Sequence, residues 1–392
     1  MAEPWLSIIG LGEDGLAGLT TASREALRAA EFVFGGARHL ALVGVVGQDW
    51  PRPFSVEPVL ALRGRRVAVL ASGDPFWHGV GGSVAQHLDP AEWRCFPQAS
   101  TYSHVAARLG WRVEDLICLG LHAAPMARLR VHLAQGVRLI CLLRDGAAVA
   151  ELAGYLVGQG FGASVLHGFE ALGGRRERRW KIGAQAFDIA KVTAPVAVAI
   201  EAMGQGISGS SGLPDEMFAH DGQITKRPVR ALTLSALAPR AGEVLWDIGC
   251  GSGSVSIEFL LAAPASVAHG VEADPLRAAR ARNNADSFGL GHRFTVTEAR
   301  APEGLPGLPR PDVVFIGGGA SEALLAAVWA RLPDGGRLVV NAVTLETEGL
   351  LMACHGAKGG ALLRIELAEA APLGTKRGWL AMRPVVQWSV VK

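Results

Sequence analysis

Short apolar runs, most of them ending in glycine, serine or an acid, alternate along this chain with stretches whose apolar positions recur every three to four residues. In the first half, the runs at 5–10, 32–34, 67–70, 137–143 and 195–200 predict strands. The stretches 22–30, 104–109 and 149–157 carry a helical period. In the second half, strands are predicted over 244–248, 268–271, 294–297, 312–316 and 337–343. Helices are predicted to start at Ser254, at Asp274-Pro275 and just after Thr225, a candidate N-cap with Pro228 in the first turn. This alternation predicts α/β folds in both halves. The second half is expected to be a mostly parallel, doubly wound sheet with its ligand at the strand C-termini.

The densest chemistry lies at 245–259, LWDIGCGSGSVSIEF. An apolar strand runs into Asp247 and then into a turn of Gly249, Cys250, Gly251, Ser252 and Gly253, after which a helix begins. A strand, a glycine turn and a helix N-terminus together place backbone N–H groups and a positive dipole end beside a ligand. Glu272 follows Gly253 by 19 residues at the end of the next strand, the distance at which an acid grips ribose hydroxyls. The dinucleotide fingerprint G-x-G-x-x-G is not met, because the third glycine comes one residue early and Ser254 stands in its place. An NAD-dependent dehydrogenase is therefore the weaker reading. Asp247 also suits an amine better than a phosphate. The run resembles motif I of the Rossmann-like S-adenosylmethionine (SAM) methyltransferases.

In the first half, strand ends carry Gly10-Leu-Gly12-Glu-Asp-Gly15 and Ser72-Gly73-Asp74-Pro75, and a turn carries Ser100 and Thr101. Together with the segment 172–178, these resemble the tetrapyrrole methylases, a match covering about residues 5–200. The resemblance implies two α/β subdomains with SAM folded between them, held by Gly10, Gly12, Ser72, Gly73, Asp74, Ser100 and Thr101. It departs at Glu13-Asp14, where that family has Pro-Gly. Asp74 also reads simply as the acid of a turn, and His78 and His104 as packing or surface residues.

The second half resembles the precorrin-6B methylases, in particular their decarboxylating subunit. The matching pieces are Ile224-Thr225-Lys226, residues 247–253, Ala301-Pro302, residues 315–319 and residues 341–347. They imply a second SAM site built from Thr225, Asp247, Gly249, Cys250, Gly251, Ser252, Gly253, Glu272, Ala301 and Gly317. Arg300 replaces the Asp that often precedes Ala-Pro in that family and faces the adenine amine. The two halves together resemble a fusion in the cobalamin pathway. That implies methylation of meso carbon 5 by the first half, and of meso carbon 15 with loss of carbon dioxide from a ring acetate by the second. His220, Lys226, Arg230 and Glu346 are the candidates near the decarboxylation site. Lys226, Arg227 and Arg230, and the run RRERRWK at 175–181, are candidates for the carboxylates of a polyanionic precorrin. The resemblance further implies a homo-oligomer, a tetramer through the second half.

Residues 204–212 are rich in glycine and serine and read as a flexible linker, giving domains at 1–203 and 213–392. The chain is 49% hydrophobic and 19% charged, so a large buried core is expected rather than disorder. No apolar run approaches the ~18 residues of a membrane span, and the opening MAEPWLSIIG lacks the basic start of a signal peptide. Five scattered cysteines without a C-x-x-C pair point to reduced thiols in the cytoplasm and to no metal. A net charge of +2 gives no basis for nucleic-acid binding. Two other readings stay open: a fusion with one live site and one scaffold half, and a tetrapyrrole carrier without catalysis.

Overall fold

The computed structural model describes residues 4–392. It divides into two compact units, Met1–Met126 with His132–Gly206, and Ala127–Val131 with Ile207–Lys392.

The first unit holds two sheets. Strands β1 (Leu6–Leu11), β2 (Phe32–Phe34), β3 (Val67–Ser72) and β4 (Trp93–Phe96) form an all-parallel sheet in the order β2-β3-β1-β4. Such a sheet is covered on both faces, and its strands read as nearly unbroken apolar runs. The central ones do, with Ile8, Ile9, Val69 and Leu70 fully buried. The second sheet runs β5 (Ile117–Gly120), β6 (Arg138–Leu143), β9 (Val196–Glu201), β7 (Val165–Glu170) and β8 (Arg178–Gly183). Only its β5–β6 pair is parallel.

The second unit is built on a seven-stranded sheet. Strands β10 (Val244–Ile248), β11 (Val267–Glu272), β12 (Phe294–Glu298), β13 (Val313–Ile316) and β14 (Arg337–Ala342) are parallel. The order is β12-β11-β10-β13-β14, followed by β18 (Val385–Val391) and β15 (Ala361–Ile365), with β18 antiparallel to both its neighbours. Strands β16 (Ala368–Leu373) and β17 (Lys376–Ala381) form a separate hairpin. The strand order reverses between β10 and β13, and ligands of open α/β sheets bind at the carboxyl ends of the strands beside such a reversal.

At the entry to the second unit the structure differs from the sequence expectation. Lys226, not Thr225, is the N-cap of the helix Arg227–Leu237, and no side chain caps it. The Thr225 carbonyl is instead bound by the Arg230 guanidinium, one turn into the helix. Segment 204–211 lies outside any helix or strand, but the end of the glycine-rich stretch is fixed. Gly212 and Leu213 are buried, and both donate their N–H groups to the Glu258 carboxylate.

Candidate active site

Strand β10 sends alternate side chains to opposite faces. Leu245 joins the core on one side, and Trp246 and Ile248 join the core on the other. Asp247 therefore shares the Leu245 face, where the Ser256 hydroxyl of the helix Ser254–Ala262 donates to its Oδ2 at 2.6 Å. Its Oδ1 is buried with no hydrogen-bond partner. Burial raises the Asp247 pKa to about 6 in spite of the Ser256 bond. The Ser252 hydroxyl is buried without a partner as well.

Gly249, Gly251 and Gly253 take φ values of 69°, 56° and 72°, which side chains disfavour. The Gly251 N–H donates to Glu272 Oε2 at 2.9 Å, and the Asp274 N–H donates to Oε1 at 3.0 Å. The loop is thereby locked to the acid at the end of β11. From β13, the Gly317 N–H donates to the Ile248 carbonyl at 3.0 Å, and a Cβ on Gly317 would lie 3.3 Å from the Gly249 oxygen. The Ala299 N–H donates to the Glu272 carbonyl, which places the Ala301 stretch beside the end of β11, with Arg300 exposed. A buried carboxylate with one free oxygen, a glycine turn exposed at Gly249 and a helix N-terminus without a side-chain cap fit a nucleoside that carries a cationic amine. Asp247 would hold the amine and Glu272 the ribose hydroxyls. Cys250 is a buried loop residue whose thiol pKa is pushed well up by burial, which makes it a poor nucleophile.

Asn284, absent from the sequence candidates, fastens a further segment to this loop. Its amide group donates to the Ala219 carbonyl at 3.0 Å and to the Ser252 carbonyl at 2.9 Å, and its Oδ1 accepts from the Ala219 N–H. The signal was an Asn on the buried stripe Ala278, Ala281, Ala285 of the helix Pro275–Ser287. Asp221 adds bonds from Arg277 at 2.9 Å and Arg280 at 2.8 Å. His220 is thus carried to the glycine loop, half-buried, its Nδ1 accepting from the Gly222 N–H. Asn284→Ala is expected to cost about 1–3 kcal/mol. Limited proteolysis should then cut the variant within 219–226 before it cuts the native chain; equal cutting would count against this anchoring.

Arg337, at the start of β14, donates to the carbonyls of Leu237 and Ala238 at the end of the helix Arg227–Leu237. The helix N-terminus, with Lys226, therefore lies toward the carboxyl edge of the sheet. Glu346 follows β14 at that edge, exposed in the first turn of the helix Leu345–Lys358.

Arg230 does not join them. It is 0% exposed, donating to Glu258 at 2.6 Å, to Asp215 at 2.9 Å and to the carbonyls of Thr225 and Leu213. Four of its five N–H groups have partners, and the guanidinium lies over the Phe218 ring. Its expected part in binding substrate carboxylates is corrected by this geometry: the side chain is an internal tie.

In the first unit, Gly10 lies against the β3 loop. A Cβ there would meet the Gly73 carbonyl oxygen at 2.0 Å, so only glycine lets the two strand ends touch. Ser100 caps the helix Thr101–Leu109, its Oγ accepting from the Ser103 N–H at 3.1 Å. Asp74 Oδ1 accepts from the Phe76 N–H at 2.9 Å, which is the turn role. Beside them opens a cavity of about 380 Å³ lined by Gly12, Ser72, Gly73, Asp74, Ser100 and Thr101, with Leu142, Phe169 and Val196 from the second sheet. The 175–181 run is not one basic patch. Its second part is the edge strand β8, and Arg178 and Arg179 are paired with Glu170 and Glu177.

Among the described residues, no group of three or more His, Cys, Asp or Glu is placed to hold a metal ion, and no helix is long and apolar enough to cross a membrane.

A doubly wound sheet with an acid-ended glycine loop, joined in one chain to a unit of two α/β sheets around a cavity, defines a two-part methyltransferase. The profile described as "Tetrapyrrole (Corrin/Porphyrin) Methylases" matches residues 6–157, and that described as "Precorrin methyltransferase domain" matches residues 216–392. The precorrin-6Y C(5,15)-methyltransferase [decarboxylating] of a Sinorhizobium species is 46% identical over 100% of this chain and 97% of that protein. The protein of the same name from Mycobacterium tuberculosis is 37% identical over 98% of this chain and 99% of its own. Among solved structures, the C-terminal domain of a precorrin-6Y C5,15-methyltransferase from Rhodobacter capsulatus is 52% identical, covering 47% of this chain and 100% of that one, with a TM-score of 0.46. The chain belongs to the precorrin-6Y C(5,15)-methyltransferase (decarboxylating) family.

Proposed function

We propose that this chain methylates a precorrin of the 6B type at meso carbons 5 and 15 and decarboxylates one ring acetate, using two SAM sites. The domains are assigned as 1–203 and 213–392, with 204–212 between them. The observation that carries the reading is the buried, unpartnered Asp247 Oδ1 beside the glycine loop, an acceptor suited to a cationic amine. The SAM sulfonium, when bound, supplies an electrophilic methyl group. The chain's own residues hold and align, since in-line transfer to an electron-rich carbon needs orientation and exclusion of water rather than an activated nucleophile. The second unit is assigned carbon 15 and the decarboxylation. Lys226 there orients the acetate carboxylate that leaves as carbon dioxide, while His220 and Glu346 manage the single proton that takes its place on the remaining carbon. The first unit is assigned carbon 5, with Gly12, Ser72, Gly73, Asp74, Ser100 and Thr101 around its ligand and Gly10 holding the two strand-end loops together.

The assembly is a cytoplasmic homo-oligomer joined through the second unit. In support, the hairpin of β16 and β17 leaves large apolar side chains exposed on both faces, Leu373 and Leu380 on one and Trp379 on the other, as at strands that meet a partner.

The test is calorimetric titration of the full chain with S-adenosylhomocysteine. Two sites per chain are expected. One site would make one half a scaffold, and none would sink the SAM reading.

A further inference from the structure

The departure at Glu13-Asp14 leaves a cluster at the cavity of which the reading above uses only Ser72. The Asp14 carboxylate folds back over Gly12 and Gly18 and stays within its own loop. Glu13 does something else. Its side chain is 8% exposed, lies in the cavity lining and is ion-paired through one oxygen with Arg38 Nη1. Arg38 Nη2 donates to Ser72 Oγ at 2.8 Å and to His39 Nε2 at 2.8 Å, and Ser72 Oγ is 2.8 Å from the same His39 nitrogen. Arg38, His39 and Ser72 all line the cavity.

The protonation pattern is determined by these contacts. Burial, reinforced by the Arg38 charge, lowers the His39 pKa to about 4, so the ring is neutral at ordinary pH. Nε2 accepts from Arg38, so the proton sits on Nδ1, which is buried and has no partner. The turn at 171–174 packs on Glu13, where a Cβ on Gly174 would lie 2.7 Å from the Glu13 Cβ. It is followed by Arg176, whose charge, after burial, helps lower the Arg38 pKa. The cluster therefore sets the Arg38 guanidinium against the Glu13 carboxylate at a cavity edge. Arg38 is only partly covered, with 35% of its side chain exposed.

We propose that Arg38, with the Ser72 hydroxyl beside it, is a recognition site for one carboxylate arm of the tetrapyrrole, and that Glu13 occupies it until that arm displaces it. The proposal rests on the tetrapyrrole reading of the first unit. Glu13 engages Arg38 through a single N–H···O contact, which a carboxylate on a ligand can better. Turning the Ser72 O–H away from His39 gives that carboxylate a second donor, while His39 Nε2 keeps its bond from Arg38.

The experiment uses uroporphyrin, a stable tetrapyrrole with eight carboxylates, titrated into the full chain and followed by its fluorescence. Arg38→Met is expected to weaken one uroporphyrin site at least tenfold, as befits loss of a charge-assisted bond. Glu13→Gln, which removes the competing charge but keeps the shape, is expected to tighten that site several-fold. If the ion pair only held the loop together, both variants would weaken binding, and that result would overturn the proposal. So would an unchanged site in Arg38→Met. Should Arg38→Met fail to melt cooperatively, Arg38→Lys, which keeps the charge but loses the fork, takes its place; a several-fold loss is expected and an unchanged site would again overturn the proposal. Wild-type chain that binds S-adenosylhomocysteine but no uroporphyrin would remove the tetrapyrrole reading and this subsite with it.

Discussion

Glu258→Ala is expected to destabilise the second unit by about 3–5 kcal/mol, the cost of leaving a buried charge without its partner. Glu258 is 3% exposed and Arg230 0%. The Glu258 carboxylate accepts from Arg230 Nε at 2.6 Å and from the N–H groups of Gly212 and Leu213. Truncation would thus strand a guanidinium and two buried amides together. Asp215 also bonds Arg230, but its side chain is partly exposed and it reaches a different nitrogen, so it cannot replace Glu258. Glu258→Gln keeps one accepting oxygen for Arg230 Nε and the Leu213 N–H but turns an amide NH2 toward the Gly212 N–H, and it should lose less than the alanine variant. Urea unfolding followed by tryptophan fluorescence reads both, since Trp246 and Trp388 are buried in this unit. An alanine variant within about 1 kcal/mol of the native chain would show that the network is relaxed or hydrated in solution.

That network also shows where the sequence stops being readable. The strand, glycine loop, helix and spaced acid of the second unit follow from period and glycine placement, and they lie where the pattern predicts. In the sequence Arg230 reads as a candidate for substrate carboxylates because its partners, Asp215 and Glu258, are 15 and 28 residues away, and pairing at that range leaves no local mark. The 175–181 run misled in a similar way, since Glu170 lies before it and the strand pairing that brings it opposite Arg178 is a tertiary fact. The glycine and serine content of 204–212 is plain in the sequence, but not the burial of Gly212 and the following Leu213 against Glu258. Strands β15 to β18 escaped prediction for another reason. β15 and the hairpin strands are mostly exposed, so no buried face stamps a period on them. In β18, Gln387 interrupts the apolar run, and only its bonds to Asn341 and Thr233 show why it is tolerated in the core.

Asp247→Asn is expected to move stability and ligand affinity in opposite directions. The ordinary carboxyl pKa of 3.8 rises to about 6 in the fold, first because of burial. Between those values the folded chain holds a proton that the unfolded chain has released. Stability therefore falls as pH rises through the window, and the loss is complete above about 6. The shift corresponds to about 3 kcal/mol. Asparagine keeps the shape and carries no charge, so the ligand-free variant should melt about 5 °C or more above the native chain at pH 7.5 and match it near pH 4. Binding of a cationic amine reverses the balance, because the charge that destabilises the empty site is the one that holds the ligand. The second-unit affinity for S-adenosylhomocysteine should fall about 10- to 100-fold in the variant. In the native chain that affinity should rise about tenfold between pH 5 and pH 7, since the carboxyl must lose its proton on binding. Calorimetry at the two pH values, with melting curves of both proteins, measures all of this. A variant that melts lower at pH 7.5 yet binds as well as the native chain would mean that Asp247 serves Ser256 and the fold, and that the amine is held elsewhere.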